Sequence, residues 1–240
     1  MTELPRGVFG KGRARGVFVA GTDTGVGKTL VACALLRGFA AGGFRVVGMK
    51  PVAAGAIRRR GVWQNDDVER LRAAANVDAP RAAVNPYCFA PAVAPHIAAQ
   101  QAGTTMRMAV IAKSYRHLAQ HADIVVVEGV GGLLVPLARA FDAADIPPRL
   151  GLPVVLVVGL RLGCLNHALL TVEALQARGL RLAGWIANRI DPDMANAAQN
   201  LQTLHARIKA PLLGTVPHAK NPQPATIARK LDIWRLNARI

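Results

Sequence analysis

The stretch VFVAGTDTGVGKTLVACALL, residues 17–36, decides the fold. It opens with an apolar run typical of a buried strand and ends with a segment typical of a helix. Residues 21–29 between them are rich in glycine. A glycine-rich turn between a strand and a helix leaves backbone N–H groups free, and the positive end of the helix dipole adds to them. The stretch therefore predicts a site that binds phosphate groups.

The spacing within this loop is irregular. Gly25 and Gly27 allow the backbone to turn toward phosphate oxygens, Lys28 is expected to reach the β- and γ-phosphates, and the Thr29 hydroxyl is expected to bind Mg²⁺. The usual G-x-x-x-x-G-K-[ST] pattern requires glycine at position 22, where this chain has threonine, and glycine stands one residue earlier. Asp23, in the middle of the loop, has no role in the general pattern.

Length and composition indicate one globular domain. Of 240 residues, 52% are hydrophobic, enough for a large core. No apolar run approaches the roughly 18 residues of a membrane span, and the basic start lacks the apolar segment of a signal peptide. Three scattered cysteines favour reduced thiols and the cytoplasm. We expect a disordered basic leader over 1–15 and a single domain over 16–240.

The net charge of +16 raises the question of a polyanionic partner. The basic residues are spread along the chain, and no stretch alternates them with stacking aromatic residues as nucleic-acid modules do. We therefore interpret the charge as a solvated basic surface and expect neither a nucleic-acid nor a membrane partner. The same field favours a nucleotide substrate.

The pattern along the chain alternates between the two kinds of element. Strand candidates lie at 16–21, 44–51, 123–130, 152–160, 182–190 and 210–217, and helix candidates at 28–41, 66–75, 105–120, 164–178 and 193–208. The strands are continuously apolar, as parallel strands covered on both faces are. The prediction is an α/β fold with a doubly wound, mostly parallel sheet and helices on both faces, of the P-loop NTPase type.

Two charged residues end strand candidates. Glu128 is followed by three glycines within four residues, and an acid at this place can provide a second contact to Mg²⁺. Lys50 ends the second strand, where it can stabilise negative charge in a transition state. The simpler interpretations are a strand-end glutamate in solvent and a surface lysine near a turn.

Two further polar groups have two interpretations each. Asn65, Asp66 and Asp67 begin a helix candidate, so they can form its N-terminal cap, or one aspartate can be a metal ligand. Asn188 ends a strand, where its amide can pair with an adenine edge or form a turn.

Several separated blocks together resemble the dethiobiotin synthetase family. They are GTDTGVGKT, KPVAAG, VNPYCFA, APHIAA, VEGVGG, LPVVLVVGLRLGCLNHALLT, LAGWIAN and PLLGTVP, in the family's order, over about residues 16 to 224. The resemblance implies a homodimeric ligase of biotin biosynthesis. It uses ATP and Mg²⁺ to close a ring from 7,8-diaminononanoate and CO₂ or bicarbonate, by way of a carbamate and its phosphoric anhydride.

The resemblance also implies roles for single residues. Lys50 and Lys28 are the catalytic lysines, and Thr29, Asp67 and Glu128 hold Mg²⁺. Substrate contacts fall on Thr24, Lys50 and Ala54. The implied nucleotide-binding residues are Gly25, Val26, Gly27, Lys28, Thr29, Leu30, Asp67, Glu128, Gly129, Val130, Gly131, Asn188, Arg189, Pro217, His218, Ala219 and Gln223.

The chain departs from the family pattern at three places. Ala54 stands where a hydroxyl residue often contacts substrate, Gly25 stands where some members carry an acid, and the segment around Gln223 aligns poorly.

Two other functions stay open. One is a partition- or septum-type ATPase switch, although its second lysine corresponds to Asp23 here. The other is a different amide-forming ligase of the same fold.

Overall fold

The structure is a computed structural model that describes residues 15–236. Its strands are β1 (Arg15–Gly21), β2 (Val46–Met49), β3 (Val52–Ala53), β4 (Ile57–Arg59), β5 (Val62–Gln64), β6 (Tyr87–Cys88), β7 (Ile124–Glu128), β8 (Pro136–Ala138), β9 (Phe141–Asp142), β10 (Val154–Gly159), β11 (Leu182–Asn188) and β12 (Leu212–Val216). Its α-helices are α1 (Lys28–Ala41), α2 (Asp66–Ala74), α3 (Arg81–Val84), α4 (Pro95–Gln101), α5 (Met108–His121), α6 (Ile146–Leu150), α7 (Cys164–Ala177), α8 (Ala197–Arg207) and α9 (Pro224–Ala228). Short 3₁₀ turns lie at Ala143–Asp145 and Ile233–Leu236.

A parallel sheet forms the centre of the described chain. Its six strands run in the order β12-β11-β10-β1-β7-β2. β1 lies between β10 and β7, with Phe18 opposite both Val154 and Val127. After β1 the chain forms β2 at one edge, returns to β7 beside β1, and then adds β10, β11 and β12 outward on the other side of β1. Because the strand order changes direction at β1, the crevice beyond its carboxyl end is the place where such sheets bind ligands. The glycine-rich loop leaves β1 at this point.

Both faces of the sheet are buried, as the continuous apolar strands predict. Val17 and Val19 of β1 join a cluster that packs against α1 and α9, whereas Phe18 and Ala20 join the cluster on the opposite face with α5 and α7. Trp185 of β11 is fully buried on the second side. These two layers confirm the predicted α/β class with helices on both faces.

The predicted elements agree with the observed ones apart from their ends. Helix α1 matches its predicted bounds, whereas the strand predicted at 44–51 ends at Met49, because Lys50 turns away and donates its backbone N–H to the Val84 carbonyl. The small sheets β3-β6, β4-β5 and β8-β9 and four short helices were not predicted. Residues 1–14 of the predicted leader lie outside the described residues, and the division into leader and domain stays a prediction.

Within residues 15–236, no helix has both the length and the apolar character needed to cross a membrane. The three cysteines of the chain are free thiols, and two of them are buried.

Candidate active site

A cavity of about 750 Å³ opens at the carboxyl ends of β1, β2 and β7. Predicted site residues from the ranges 24–30, 50–67 and 128–131 line it. They are Thr24, Gly25, Gly27, Lys28, Thr29, Leu30, Lys50, Ala54, Asp67, Glu128, Val130 and Gly131. Asn65, Arg70, Pro95 and Val135 line it too. The structure thus brings residues that lie more than a hundred positions apart into one cavity.

The glycine-rich loop has the left-handed backbone angles that its glycines allow. Gly25 and Gly27 have φ angles of 75° and 94°, in the left-handed region that favours glycine. A Cβ on Gly27 would lie 2.1 Å from the amide nitrogen of Asn188, whereas a Cβ on Gly25 would meet no atom within 4 Å. Gly27 is therefore required for close packing as well as for its backbone angle, and Gly25 for its angle alone.

Lys28 lies buried at the start of α1, and its Nζ donates to the Asp23 carbonyl at 2.9 Å. Burial and, to a smaller extent, the nearby charge of Lys50 together lower the pKa of Lys28 to about 8, against smaller opposing effects of the carboxylates. A buried lysine with a lowered pKa indicates a site that gains an anionic ligand.

Lys50 lies at the centre of a buried ionic cluster. Its Nζ is 2.6 Å from Glu128 Oε1 and 2.9 Å from Asp67 Oδ2, and the Thr29 hydroxyl donates to Glu128 Oε1 at 2.8 Å. Lys50 and Glu128 are 4% and 1% exposed, so this ion pair is out of contact with bulk water, whereas the Asp67 side chain is 39% exposed. Such a cluster needs all of its partners, because a lone buried charge is costly.

The pKa values in the cluster follow from this arrangement. Burial alone would lower the pKa of Lys50, but the charges and hydrogen bonds of Glu128 and Asp67 outweigh burial and raise it. Burial would raise the pKa of Asp67, and the charge of Lys50 with hydrogen bonds from Lys50 and Thr29 holds it below its usual value. Lys50 is therefore a cation and Asp67 an anion at neutral pH.

The donors in this cluster fit a magnesium ion. Glu128 Oε2 is buried and accepts no hydrogen bond from any described residue, so it has an unused lone pair for a cation. One hydroxyl and two carboxylates are the oxygen ligands that Mg²⁺ prefers when phosphate oxygens and waters complete its shell. Residues 15–236 contain no group of three or more His, Cys, Asp or Glu side chains that could hold a metal ion by themselves.

Asn65 positions Asp67. Its side chain accepts from the backbone N–H groups of Asp67 and Val68 and caps α2, as the first interpretation predicts. Its amide also donates to the Ala54 carbonyl at 3.0 Å, which ties the start of α2 to the loop after Lys50. Asp67 of the same trio is the residue that faces Lys50, so the cap and the charged contact coexist.

A second cavity, of about 660 Å³, adjoins the first on the outer side of α1. Thr29, Leu30 and Arg70 line both cavities, and residues 220–225 close the far side of the second. Gln223 lines it, but Arg189, Pro217, His218 and Ala219 lie outside both linings, exposed at the ends of β11 and β12.

Three predicted nucleotide-binding residues are buried behind the cavities. The Asn188 amide donates to the Val26 carbonyl at 2.9 Å and so holds the glycine-rich loop. Gly129 packs so closely on Phe18 that a Cβ would lie 2.9 Å from its ring. Contact between Asn188 and an adenine edge stays a prediction.

The sequence pattern missed Arg161, which follows β10. Its guanidinium pairs with the Asp23 carboxylate, and Asp23 Oδ1 also accepts from the backbone N–H of Thr24. Asp23 thus links the glycine-rich loop to the loop before α7 while its own carbonyl holds Lys28. A lone arginine gives no motif, so only the fold could have shown this pair.

A family model and two relatives each match most of this chain. A family model described as AAA domain matches residues 15–226. The ATP-dependent dethiobiotin synthetase BioD of Aromatoleum aromaticum is 55% identical over 219 residues, which are 91% of this chain and 97% of that protein. The protein of the same name from Nitrosospira multiformis is 52% identical over 225 residues, 94% of this chain and 98% of its own.

Solved structures support the fold alone. The septum site-determining protein MinD of Pyrococcus horikoshii, complexed with Mg-ADP, gives a TM-score of 0.55 at 16% identity and covers 92% of this chain and 88% of its own. The cell division ATPase MinD of Pyrococcus furiosus gives 0.54 at 19% identity, covering 95% and 100%. The identity to the two synthetases is far higher, and it extends over nearly the whole of each. The chain belongs to the ATP-dependent dethiobiotin synthetases, ligases of biotin biosynthesis that act on small molecules.

Proposed function

We propose that the protein closes the ring of dethiobiotin from 7,8-diaminononanoate. One amine takes up CO₂ and loses a proton to give a carbamate, whose oxygen then accepts the γ-phosphoryl group of ATP. The second amine attacks the carbonyl carbon, a C–N bond forms, the C–O bond to phosphate breaks, and ADP and phosphate remain. The observation that carries the proposal is the buried Lys50 ammonium beside the phosphate loop, between Asp67 and Glu128.

Residues 25–30 bind the phosphates in this proposal. The N–H groups of the glycine-rich loop and the N-terminus of α1 face the anionic chain of ATP. Lys28 exchanges the Asp23 carbonyl for phosphate oxygens, and their negative charge raises its lowered pKa again.

Thr29, Asp67 and Glu128 would hold Mg²⁺. A bound Mg²⁺ ion supplies charge neutralisation at the β- and γ-phosphates. The unused Glu128 Oε2 and the nearby hydroxyl support this assignment.

Lys50 would stabilise charge at the reacting centre. A carbamate is a weak nucleophile and its phosphoric anhydride hydrolyses readily, so catalysis needs positioning, positive charge and exclusion of water. Lys50 is 4% exposed and carries a full charge, which suits it to polarise the carbamate and the transferred phosphoryl group. Gly129, Val130 and Gly131 let the backbone approach the same phosphates.

The base end of ATP would lie toward the second cavity, which Leu30 and Gln223 line. We assign Asn188 and Arg189 to this end, with Pro217, His218 and Ala219 at its border. The Asn188 amide nitrogen donates one of its two hydrogens to the Val26 carbonyl, and its side-chain oxygen can accept from an exocyclic amine of the base.

The diamine would lie beside Thr24, Lys50 and Ala54 in the larger cavity. Ala54 offers no hydroxyl, so its contact with substrate is apolar or through the backbone. We further propose a homodimer with the diamine near the subunit interface. Leu162, before α7, is 93% exposed and Leu170 within it 57%, an apolar surface that a second copy would cover.

The test is phosphate release from purified protein with ATP, Mg²⁺ and bicarbonate. We expect release that depends on the diamine and yields dethiobiotin by mass spectrometry. Strong release without diamine, stimulated by DNA or lipid vesicles, would instead assign the partition-type switch. Light scattering after size-exclusion chromatography measures the dimer separately, and a monomer at micromolar concentration would contradict that part.

A further inference from the structure

Two histidines share the exposed face of the last turns of α5. His117 and His121 are one helical turn apart, with ring centroids separated by 4.9 Å and ring planes inclined by 43°. Side chains four residues apart lie one above the other on a helix. The two imidazoles therefore form a pair that can approach one ion together.

A hydrogen bond fixes the tautomer of one ring. His121 Nδ1 lies 2.8 Å from the His117 carbonyl oxygen. Because a carbonyl can only accept, Nδ1 carries the proton and Nε2 keeps its lone pair. Metal-binding histidines usually have this arrangement, in which the ring nitrogen that does not bind metal donates to a carbonyl or carboxylate.

The end of the helix provides a favourable field for a cation. His121 is the last residue of α5, and the final carbonyls of a helix carry partial negative charge. Lys113, one turn before His117, and Arg116 act against a cation, and Asp123 just beyond the helix is already paired with Arg45. The two rings must therefore supply the affinity as ligands.

We propose that His117 and His121 form a bidentate surface site for a borderline divalent transition metal ion, Ni²⁺, Cu²⁺ or Zn²⁺, with water completing the shell. Imidazole pairs select these ions over Mg²⁺, which prefers oxygen. The site is separate from the Thr29, Asp67 and Glu128 cluster, and it is independent of the proposed reaction.

The experiment is calorimetric titration of the untagged full chain with Ni²⁺ in millimolar Mg²⁺. Wild type binds one ion that both His117→Ala and His121→Ala weaken by about a hundredfold, since each variant turns a two-point attachment into a one-point attachment. His205→Ala, which removes an exposed histidine of α8, serves as the matched control and keeps wild-type affinity.

With Cu²⁺, paramagnetic resonance adds a structural readout. We expect the Cu²⁺ spectrum to show hyperfine coupling to two nitrogen atoms in wild type and to one nitrogen atom in each variant of the pair. Unfolding temperatures in chelator should agree among all four proteins, which excludes loss of fold as the cause. No binding by wild type, unchanged affinity in either variant of the pair, or an equal loss in His205→Ala would overturn the proposal.

Discussion

Replacing Lys50 by methionine tests whether its ammonium occupies the place of a metal cation. The change keeps much of the side-chain volume and removes the charge from between Asp67 and Glu128. At an effective dielectric constant of about 20, charges 2.6 Å apart attract by about 6 kcal/mol, and the cost of burying the ammonium offsets much of this. The contact with Asp67 adds less, because that side chain is 39% exposed and screened by water.

We therefore expect Lys50→Met to lower the free energy of unfolding in chelator by about 3 kcal/mol, the usual cost of removing one partner from a buried pair. For a domain of this size, the unfolding temperature should fall by about 6 °C or more. Mg²⁺ must displace the ammonium in wild type but meets free carboxylates in the variant. If about half of the lost energy returns on binding, Mg²⁺ affinity without nucleotide rises about tenfold.

The assay is thermal unfolding in chelator and across a Mg²⁺ series, with calorimetry for the affinity. Lys113→Met, an exposed lysine of α5, is the control and should show neither change. Turnover of Lys50→Met should be nearly abolished while nucleotide still binds. A Mg²⁺ affinity equal to or weaker than that of wild type would refute the reasoning, because the ammonium would then not compete for these carboxylates.

Three further changes test other contacts. Gly27→Ala should lower stability and ATP affinity more than Gly25→Ala does. Both positions have positive φ, but only alanine at position 27 adds a steric clash. Equal effects on the unfolding temperature and on ATP titration would contradict this. Arg70→Ala should raise the KM for ATP severalfold with little change in kcat, since Arg70 lines both cavities. The control is Arg72→Ala, which changes a neighbouring arginine paired with Glu69 and Asp78 and should leave the KM unchanged. A KM of Arg70→Ala equal to that of wild type would show that Arg70 does not belong to the site. Burial raises the pKa of Cys33 to about 12, so a thiol reagent at pH 8 should modify it only on unfolding; rapid modification of native protein, mapped by mass spectrometry, would show that it is accessible.

The parts of the fold that rest on local pattern were predictable. The continuous apolar strands and the Gly-Lys-Thr turn predict β1, α1 and the sheet class, because burial on both faces and backbone strain leave marks in the sequence itself. The short pairings such as β4-β5 were not predictable, since strands of two or three residues carry too little periodicity.

The site divides in the same way. That Lys50 would lie near the loop followed from its position at a strand tip, but its contacts with both Asp67 and Glu128 depend on three elements packing together. The role of Asp23 could not be predicted from the sequence, because its partner Arg161 lies 138 residues away in a loop without a recognisable motif. Long-range pairs of single charged residues have no local signal.

The strand order has a consequence for how this enzyme could be altered. Every side chain assigned to phosphate and metal extends from β1, β2, β7 or the segments that follow them. The residues assigned to the base lie at or beyond the ends of β11 and β12, on the other half of the sheet. Exchange of the chain after residue 153 between two relatives would therefore transplant nucleotide preference as a unit and leave the phosphoryl chemistry in place. Among the described residues, the side-chain contacts to be matched across the junction are those of Arg161 and Asn188 with the loop and those of Arg178 with Asp142 and Asp145.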